Sequence, residues 1–220
     1  MNRRTLMIGA GALVLTAGAG IFSFGRRSSL PDLGAANAQE AADVDTSSIV
    51  EMAMGPEDAP VTVIEYASFT CPHCATFHTG PGAQLKSEYV EAGKVRFIYR
   101  DVYFDRPGLW ASMVARCEPD RFFGIMDMLY KQQRDWLGDG QPAQIAENLR
   151  RIGKIAGLDD DQLDACLSDA EKAQTLMAWF QQNADADGID STPSLIINGE
   201  KHPNMAYSEL KAIIDEKLAE

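Results

Sequence analysis

The sequence predicts a mixed α/β domain interrupted by a helical insertion. Three observations carry that prediction. Residues 61–99 read strand, helix, strand; residues from about 107 to 187 read helix after helix; and residues 194–218 return to a hairpin followed by a helix. A chain of 220 residues suits one domain, or one domain with a large insertion, rather than two unrelated ones.

In the first part, Val61-Thr62-Val63-Ile64-Glu65-Tyr66 is rich in β-branched and aromatic residues over a strand's length and leads through Ser68-Phe69-Thr70 to Cys71. It reads as a central strand. Pro72 fits the first turn of a helix, where its missing N–H is not needed, and Phe77, Leu85 and Tyr89 then face the core. Gly80-Pro81-Gly82 must kink or break that helix, and Gly93 ends it before a second strand at Val95-Arg96-Phe97-Ile98-Tyr99. Strand, helix, strand implies a right-handed parallel crossover. Ile49 to Met54 adds a short edge strand, followed by the turn-rich Gly55-Pro56-Glu57-Asp58-Ala59-Pro60.

The insertion shows core stripes at helical spacing: Phe122, Met126, Leu129, Tyr130, Trp136 and Leu137; then Ile145, Leu149, Ile152 and Ala156; then Ala173, Met177, Phe180 and Ala184. Gly138-Asp139-Gly140-Gln141-Pro142 and Gly157-Leu158-Asp159-Asp160 separate these helices. Ser194-Leu195-Ile196-Ile197 is the next strand. The Asn198-Gly199 that follows it is a strong hairpin signal, and an amphipathic helix through Leu210, Ile213, Ile214 and Leu218 closes the chain.

The N-terminus follows a separate logic. Asn2-Arg3-Arg4 precedes an uncharged stretch from Thr5 to Phe24, and Ala36-Asn37-Ala38 supplies small residues at cleavage-site spacing. Residues 1–38 are therefore expected to be an export signal cleaved near Ala38, an uncleaved membrane anchor being the alternative. The Arg3-Arg4 pair permits a twin-arginine route. Either way the rest of the chain is expected outside the cytoplasm. Residues 39–58 are expected to be a flexible leader and edge strand, 59–104 and 188–220 the two parts of the α/β domain, and 105–187 the insertion. The whole chain carries a net charge of −12, and without residues 1–38 the remainder carries about −15. That sign disfavours a nucleic-acid partner.

Four cysteines in an exported chain permit disulfides, with three connectivities. Cys71 and Cys74 form a C-x-x-C pair, which leaves Cys117 and Cys166 for each other. Such a bond would close a loop of about 50 residues, worth roughly 4 kcal/mol in the chain-entropy model. Two buried free thiols are the alternative. Cys71 falls at a helix N-terminus, where the dipole and free N–H groups lower a thiol's pKa, so it is the expected nucleophile and Cys74 its resolving partner. His73, between them, can donate a hydrogen bond or positive charge to the thiolate. C-x-x-C also makes half of a zinc site, but no second close pair exists and His78 and His202 are isolated, so no metal and no cofactor are expected. His78 is expected to face solvent or pack on its helix, and His202 to be an exposed loop residue.

These residues carry a resemblance. Glu65-Tyr66-Ala67-Ser68-Phe69-Thr70-Cys71-Pro72-His73-Cys74 resembles the active-site segment of the DsbA family of periplasmic disulfide oxidoreductases. Thr192-Pro193-Ser194, with Leu195-Ile196-Ile197-Asn198-Gly199 after it, is similar to that family's cis-proline loop, following strand and turn. The resemblance covers nearly everything from Val61 onward and implies a thioredoxin-like fold with a helical insertion domain.

It also implies roles: Cys71 as nucleophile, Cys74 as resolving thiol, His73 as stabiliser of the thiolate and Glu65 as a buried proton shuttle near Cys74. Thr192, the cis residue Pro193 and Phe69 would bind the client, and Cys117 and Cys166 would form the structural disulfide. The implied activity is donation of a disulfide to reduced exported proteins, with reoxidation by a membrane quinone reductase similar to DsbB, by a monomer in the periplasm. One departure points elsewhere. Threonine before the cis-proline also occurs in isomerase and reductase relatives, so an isomerase or reductase is the alternative within the same chemistry. A non-catalytic peptide-holding chaperone is the alternative outside it.

Overall fold

A computed structural model of the chain describes residues 44–220; the expected export signal lies outside them. Five strands form one mixed sheet in the order β1-β3-β2-β4-β5: β1 is Met52–Met54, β2 Val61–Ala67, β3 Val95–Asp101, β4 Ser194–Ile197 and β5 Glu200–Pro203. β2 occupies the centre, and Val61, Val63, Tyr66 and Ala67 along it are fully buried. Side chains packed on both faces explain why its sequence reads as a near-continuous apolar run rather than an alternation.

β2 and β3 run parallel, with Glu65 opposite Tyr99, whereas β4 runs antiparallel to β2, with Ser194 opposite Tyr66. This register sets the position of the site. The chain leaves β2 at the same end of the sheet where it enters β4, so Cys71 after one strand and Pro193 before the other emerge side by side.

The parallel pair needs a crossover, supplied by α1 (Pro72–Thr79), α2 (Pro81–Leu85) and a π-helical turn, Lys86–Val90. The break between α1 and α2 falls at Gly80, where Pro81 starts a new helix. Phe77, Leu85 and Tyr89 are buried beneath the crossover.

The helical block follows β3: α3 (Arg106–Ala115), a 3₁₀ turn at Pro119–Arg121, α4 (Phe122–Lys131), α5 (Gln133–Leu137), α6 (Pro142–Ile155), α7 (Asp160–Ser168) and α8 (Ala170–Ala186). Aspartates start three of these helices by accepting from a free backbone N–H: Asp105 for α3, Asp159 for α7 in a capping box with Gln162, and Asp169 for α8. The stripe through Phe122, Met126, Leu129, Tyr130 and Trp136 is buried, as are Ile145, Leu149 and Ile152. In α8 the buried face is rotated from the one expected. Leu176 and Trp179 join Ala173 and Ala184 inside, while Met177 and Phe180 are half-buried. Trp179 turns inward because it stacks on the buried Arg116 guanidinium, 5.2 Å away.

The hairpin turn between β4 and β5 places Asn198 and Gly199 at φ 46° and 86°. These left-handed values suit the Asn-Gly pair of a two-residue turn. α9 (Tyr207–Lys217) closes the fold through Leu210 and Ile214.

The residues leading into β1 make contacts with the helical block: Thr46 Oγ1 donates to Gln182 Oε1 at 2.9 Å, Gln182 Nε2 donates to Val44 O at 3.1 Å, and Arg116 Nη1 donates to Val50 O at 2.9 Å. One expectation is corrected: His202 lies on β5 and is half-buried rather than an exposed loop residue. Among the described residues no helix is long and apolar enough to cross a membrane, and no group of His, Cys, Asp or Glu is placed to hold a metal ion.

Candidate functional site

Cys71 caps the N-terminus of α1. Its extended backbone, at φ −78° and ψ 119°, turns Sγ back over the first turn, where it accepts from the Cys74 N–H at 3.4 Å. Both thiols are free, Cys71 at the buried edge of the surface and Cys74 fully enclosed. The hydrogen bond from the Cys74 thiol is the main cause lowering the Cys71 pKa. Contacts from Thr192 and the main-chain N–H groups of Cys74 and His73 add to it, and against partial burial they pull the thiol down to about 5. Cys74 moves the opposite way: donating to Cys71, its own burial and the nearby Glu65 charge hold it protonated well above the ordinary thiol range.

The cis peptide bond Thr192-Pro193 brings the Thr192 carbonyl oxygen within 3.7 Å of Cys71 Sγ. Glu65, on the central strand, is fully buried, and neither of its oxygens has a hydrogen-bond partner. Burial first, and the Cys71 charge second, push its carboxyl up to about 8.

Two expected site residues sit differently from their assigned roles. Phe69 is 1% exposed, its ring stacked on Tyr99 at 5.5 Å and against Tyr130 at 5.2 Å, so it is a core residue with no surface to offer a client. His73 is exposed, and its contribution to stabilising Cys71 runs through its main-chain N–H. The second pair, Cys117 and Cys166, is joined by a disulfide between the end of α3 and the last turn of α7, 49 residues apart.

Sequence reasoning missed Gln133. From α5 its buried amide Nε2 donates to Phe69 O at 2.8 Å and Cys71 O at 2.9 Å, tying the helical block to the loop that carries the nucleophile. A glutamine beside another glutamine in an amphipathic stretch carries no local signal; only the approach of α5 to that loop makes it a clamp. Tyr99 and Tyr130, which share a 2.6 Å hydroxyl contact behind the site, read in sequence as ordinary strand and core-stripe residues.

The family model described as Thioredoxin matches residues 47–216. A Rickettsia bellii protein provisionally named protein-disulfide oxidoreductase is 31% identical over 172 residues, which cover 77% of this chain and 65% of the relative. The chain thus spans slightly less than two-thirds of that relative's length. Disulfide bond formation protein D of Bacillus subtilis is 26% identical over 175 residues, covering 75% of this chain and 76% of the relative. Wolbachia pipientis alpha-DsbA1 shares the fold, with a TM-score of 0.71 at 24% identity over 77% of this chain and 91% of that one. With a helix-capping C-x-x-C pair facing a cis-proline loop, and a helical block inserted into a thioredoxin-like sheet, the chain belongs to the DsbA family.

Proposed function

We propose that the chain is a thiol:disulfide oxidoreductase that donates a Cys71–Cys74 disulfide to reduced exported proteins in the periplasm. The observation that carries this reading is the placement of the pair: Cys71 Sγ caps α1, accepts from the Cys74 N–H at 3.4 Å and faces the cis-proline loop, while Cys74 is enclosed one turn on, so the two thiol pKa values are displaced in opposite directions. A client thiolate attacks Cys71 Sγ, the Cys71–Cys74 bond breaks, and Cys74 leaves with the bonding electrons and takes a proton from Glu65. A second client thiolate then attacks the client sulfur of the mixed disulfide, and Cys71 departs as thiolate. The client loses two electrons and the protein gains them, ending with Cys71 ionised and Cys74 protonated.

Each unit by which the Cys71 pKa falls below an ordinary thiol favours this reduced end state by about 1.4 kcal/mol, or about 30 mV for the two-electron couple. Thr192 and Pro193 would present backbone to an extended client segment. Reoxidation by a DsbB-like membrane quinone reductase and action as a monomer complete the proposal.

The test is equilibration with glutathione, together with titration of the Cys71 thiolate. A disulfide more oxidising than glutathione is expected; a potential near that of thioredoxin would replace the oxidase reading with a reductase. Thr192 before the cis-proline favours a second reading, disulfide isomerisation, which predicts recovery of activity from a scrambled-disulfide client in redox buffer.

A further inference from the structure

The exchange proposed above sends protons to and from a carboxyl group with no surface of its own. Glu65 is fully buried and unpartnered, so its protons must travel through neighbouring groups. A cavity of about 160 Å³ lies against it, with walls that include Glu65, His78, Lys86, Glu91, Met126 and Asp127. That is room for several water molecules, with Glu65, His78, Lys86, Glu91 and Asp127 as their polar partners in an otherwise apolar lining.

His78 is one of four titratable groups, with Lys86, Glu91 and Asp127, that line this cavity and also reach solvent, and the one among them with an imidazole able to exchange protons near neutral pH. It sits on α1 one turn beyond Cys74, its ring 4.8 Å from that of Tyr130, with Nε2 3.5 Å from Asp127 Oδ1. Its side chain keeps 14% of its surface in solvent, and Asp127 is 44% exposed. One residue therefore touches bulk water, an anchoring carboxylate and the cavity that reaches Glu65.

We propose that His78 relays protons between Glu65 and bulk solvent through this cavity, with Asp127 holding its imidazole in place. The proposal rests on the reading of Glu65 as proton carrier for Cys74. During client oxidation a proton passes from solvent to His78, through cavity water to Glu65 and onto the departing Cys74 sulfur; during reoxidation it runs the other way. No electrons move at His78, which acts through Glu65 and touches neither sulfur.

The groups facing the imidazole are Asp127, Tyr130 and Lys131 on α4, Lys86 in the π-helical turn, and Glu65 and Glu91 in the cavity lining. Burial, helped by Lys131 and Lys86, holds its pKa below the ordinary histidine value against the opposing pull of Asp127. Neutral imidazole is therefore the resting form near pH 7, able to take up and release a proton.

The experiment follows stopped-flow exchange between glutathione and the full protein across pH. His78→Gln is expected to slow closure of Cys74 onto the mixed Cys71–glutathione disulfide roughly tenfold, below the range for proton transfer to a reacting atom itself. It should also remove one inflection from the pH–rate profile and leave the Cys71 titration in place. In His78→Ala, added imidazole should restore the rate in proportion to its concentration, where sodium chloride at equal ionic strength does not. Asp127→Asn keeps the imidazole but withdraws a charge that raises its pKa, so the inflection should move to lower pH. Unchanged profiles in these variants overturn the relay, and Asp127→Asn decides alone if the His78 variants do not fold. Glu65→Gln separates the two levels. If it too leaves the profile unaltered, the parent reading of Glu65 fails; if it alters the profile while the His78 and Asp127 variants do not, only the relay fails.

Discussion

The two cysteine pairs of this molecule sit at opposite ends of helices. Cys71 caps an N-terminus, where main-chain N–H groups point at its sulfur, while Cys117 follows the C-cap residue of α3, Arg116, and Cys166 lies in the last turn of α7. Helix N-termini favour an anionic sulfur and C-termini, lined with carbonyls, disfavour one. The same element thus makes one thiol a nucleophile and leaves the other two as a cross-link. The contrast is sharpened within the first pair, since Cys74 donates to Cys71, is fully enclosed and feels the Glu65 charge, which together outweigh its one main-chain contact, from Ser68.

The comparison breaks most sharply under paired substitutions. Cys71→Ala should cost roughly three orders of magnitude or more in exchange with a reduced client, because no other sulfur can replace the nucleophile. Cys117→Ala with Cys166→Ala should leave exchange within about twofold but lower unfolding free energy by about 4 kcal/mol, read from urea denaturation. Loss of exchange in the second variant would mean that the cross-link reaches the site and the two pairs are not independent.

Gln133 tests whether the helical block supports only the cross-link or also the nucleophile. Gln133→Leu withdraws the donors to two buried carbonyls, those of Phe69 and Cys71. It should cost about 2–3 kcal/mol of stability and raise the Cys71 pKa as the loop relaxes. A stability loss with an unmoved Cys71 titration would confine Gln133 to a structural part.

The pH dependence of stability compares the two ionisable groups of the site. For Cys71 the folded pKa, about 5, lies below the unfolded value. Its contribution is therefore full above the unfolded thiol pKa and is lost as pH falls through about 5. Allowing for solvent screening at this partly exposed sulfur, reduced protein should lead Cys71→Ser by about 1–2 kcal/mol at pH 7 and converge with it below pH 5. Glu65 has the opposite sign. Its folded pKa, about 8, lies above the unfolded value, so its ionisation penalises the fold increasingly from about pH 4.5 to 8. Glu65→Gln should be stabilising by about 1–3 kcal/mol at pH 8 and by less at pH 5. Parallel stability curves for the variants and the parent would remove the electrostatic basis of the site.

Much of this arrangement was legible in local sequence because it depends on local rules. Pro72 after Cys71 marks a helix start, Asn198-Gly199 marks a tight turn, and β-branched runs mark β2 and β3. What stayed hidden depends on which surfaces meet. Phe69 stands two residues from the nucleophile, yet its side chain follows the strand's inward direction into the Tyr99 and Tyr130 rings. The rotation of the buried face of α8 answers to Arg116, the residue that ends α3, and Gln133 and His78 take their places only when α4 and α5 close over α1. Glu65 was visible as a carboxylate in an apolar strand, but its lack of any partner is a property of the packed core.

His73 gives the smallest effect and the finest division of the helix-terminus argument. His73→Ala removes the exposed imidazole but keeps the main-chain N–H that faces Cys71. If backbone geometry sets the thiolate, the Cys71 pKa, followed by ultraviolet absorbance of the thiolate, should rise by less than about one unit. The disulfide should then become less oxidising by no more than about 30 mV. A rise of two units or more would move the source of the low pKa from the helix terminus to the histidine ring. The contrast between the two cysteine pairs would then rest on one side chain instead of on the direction of the helices that carry them.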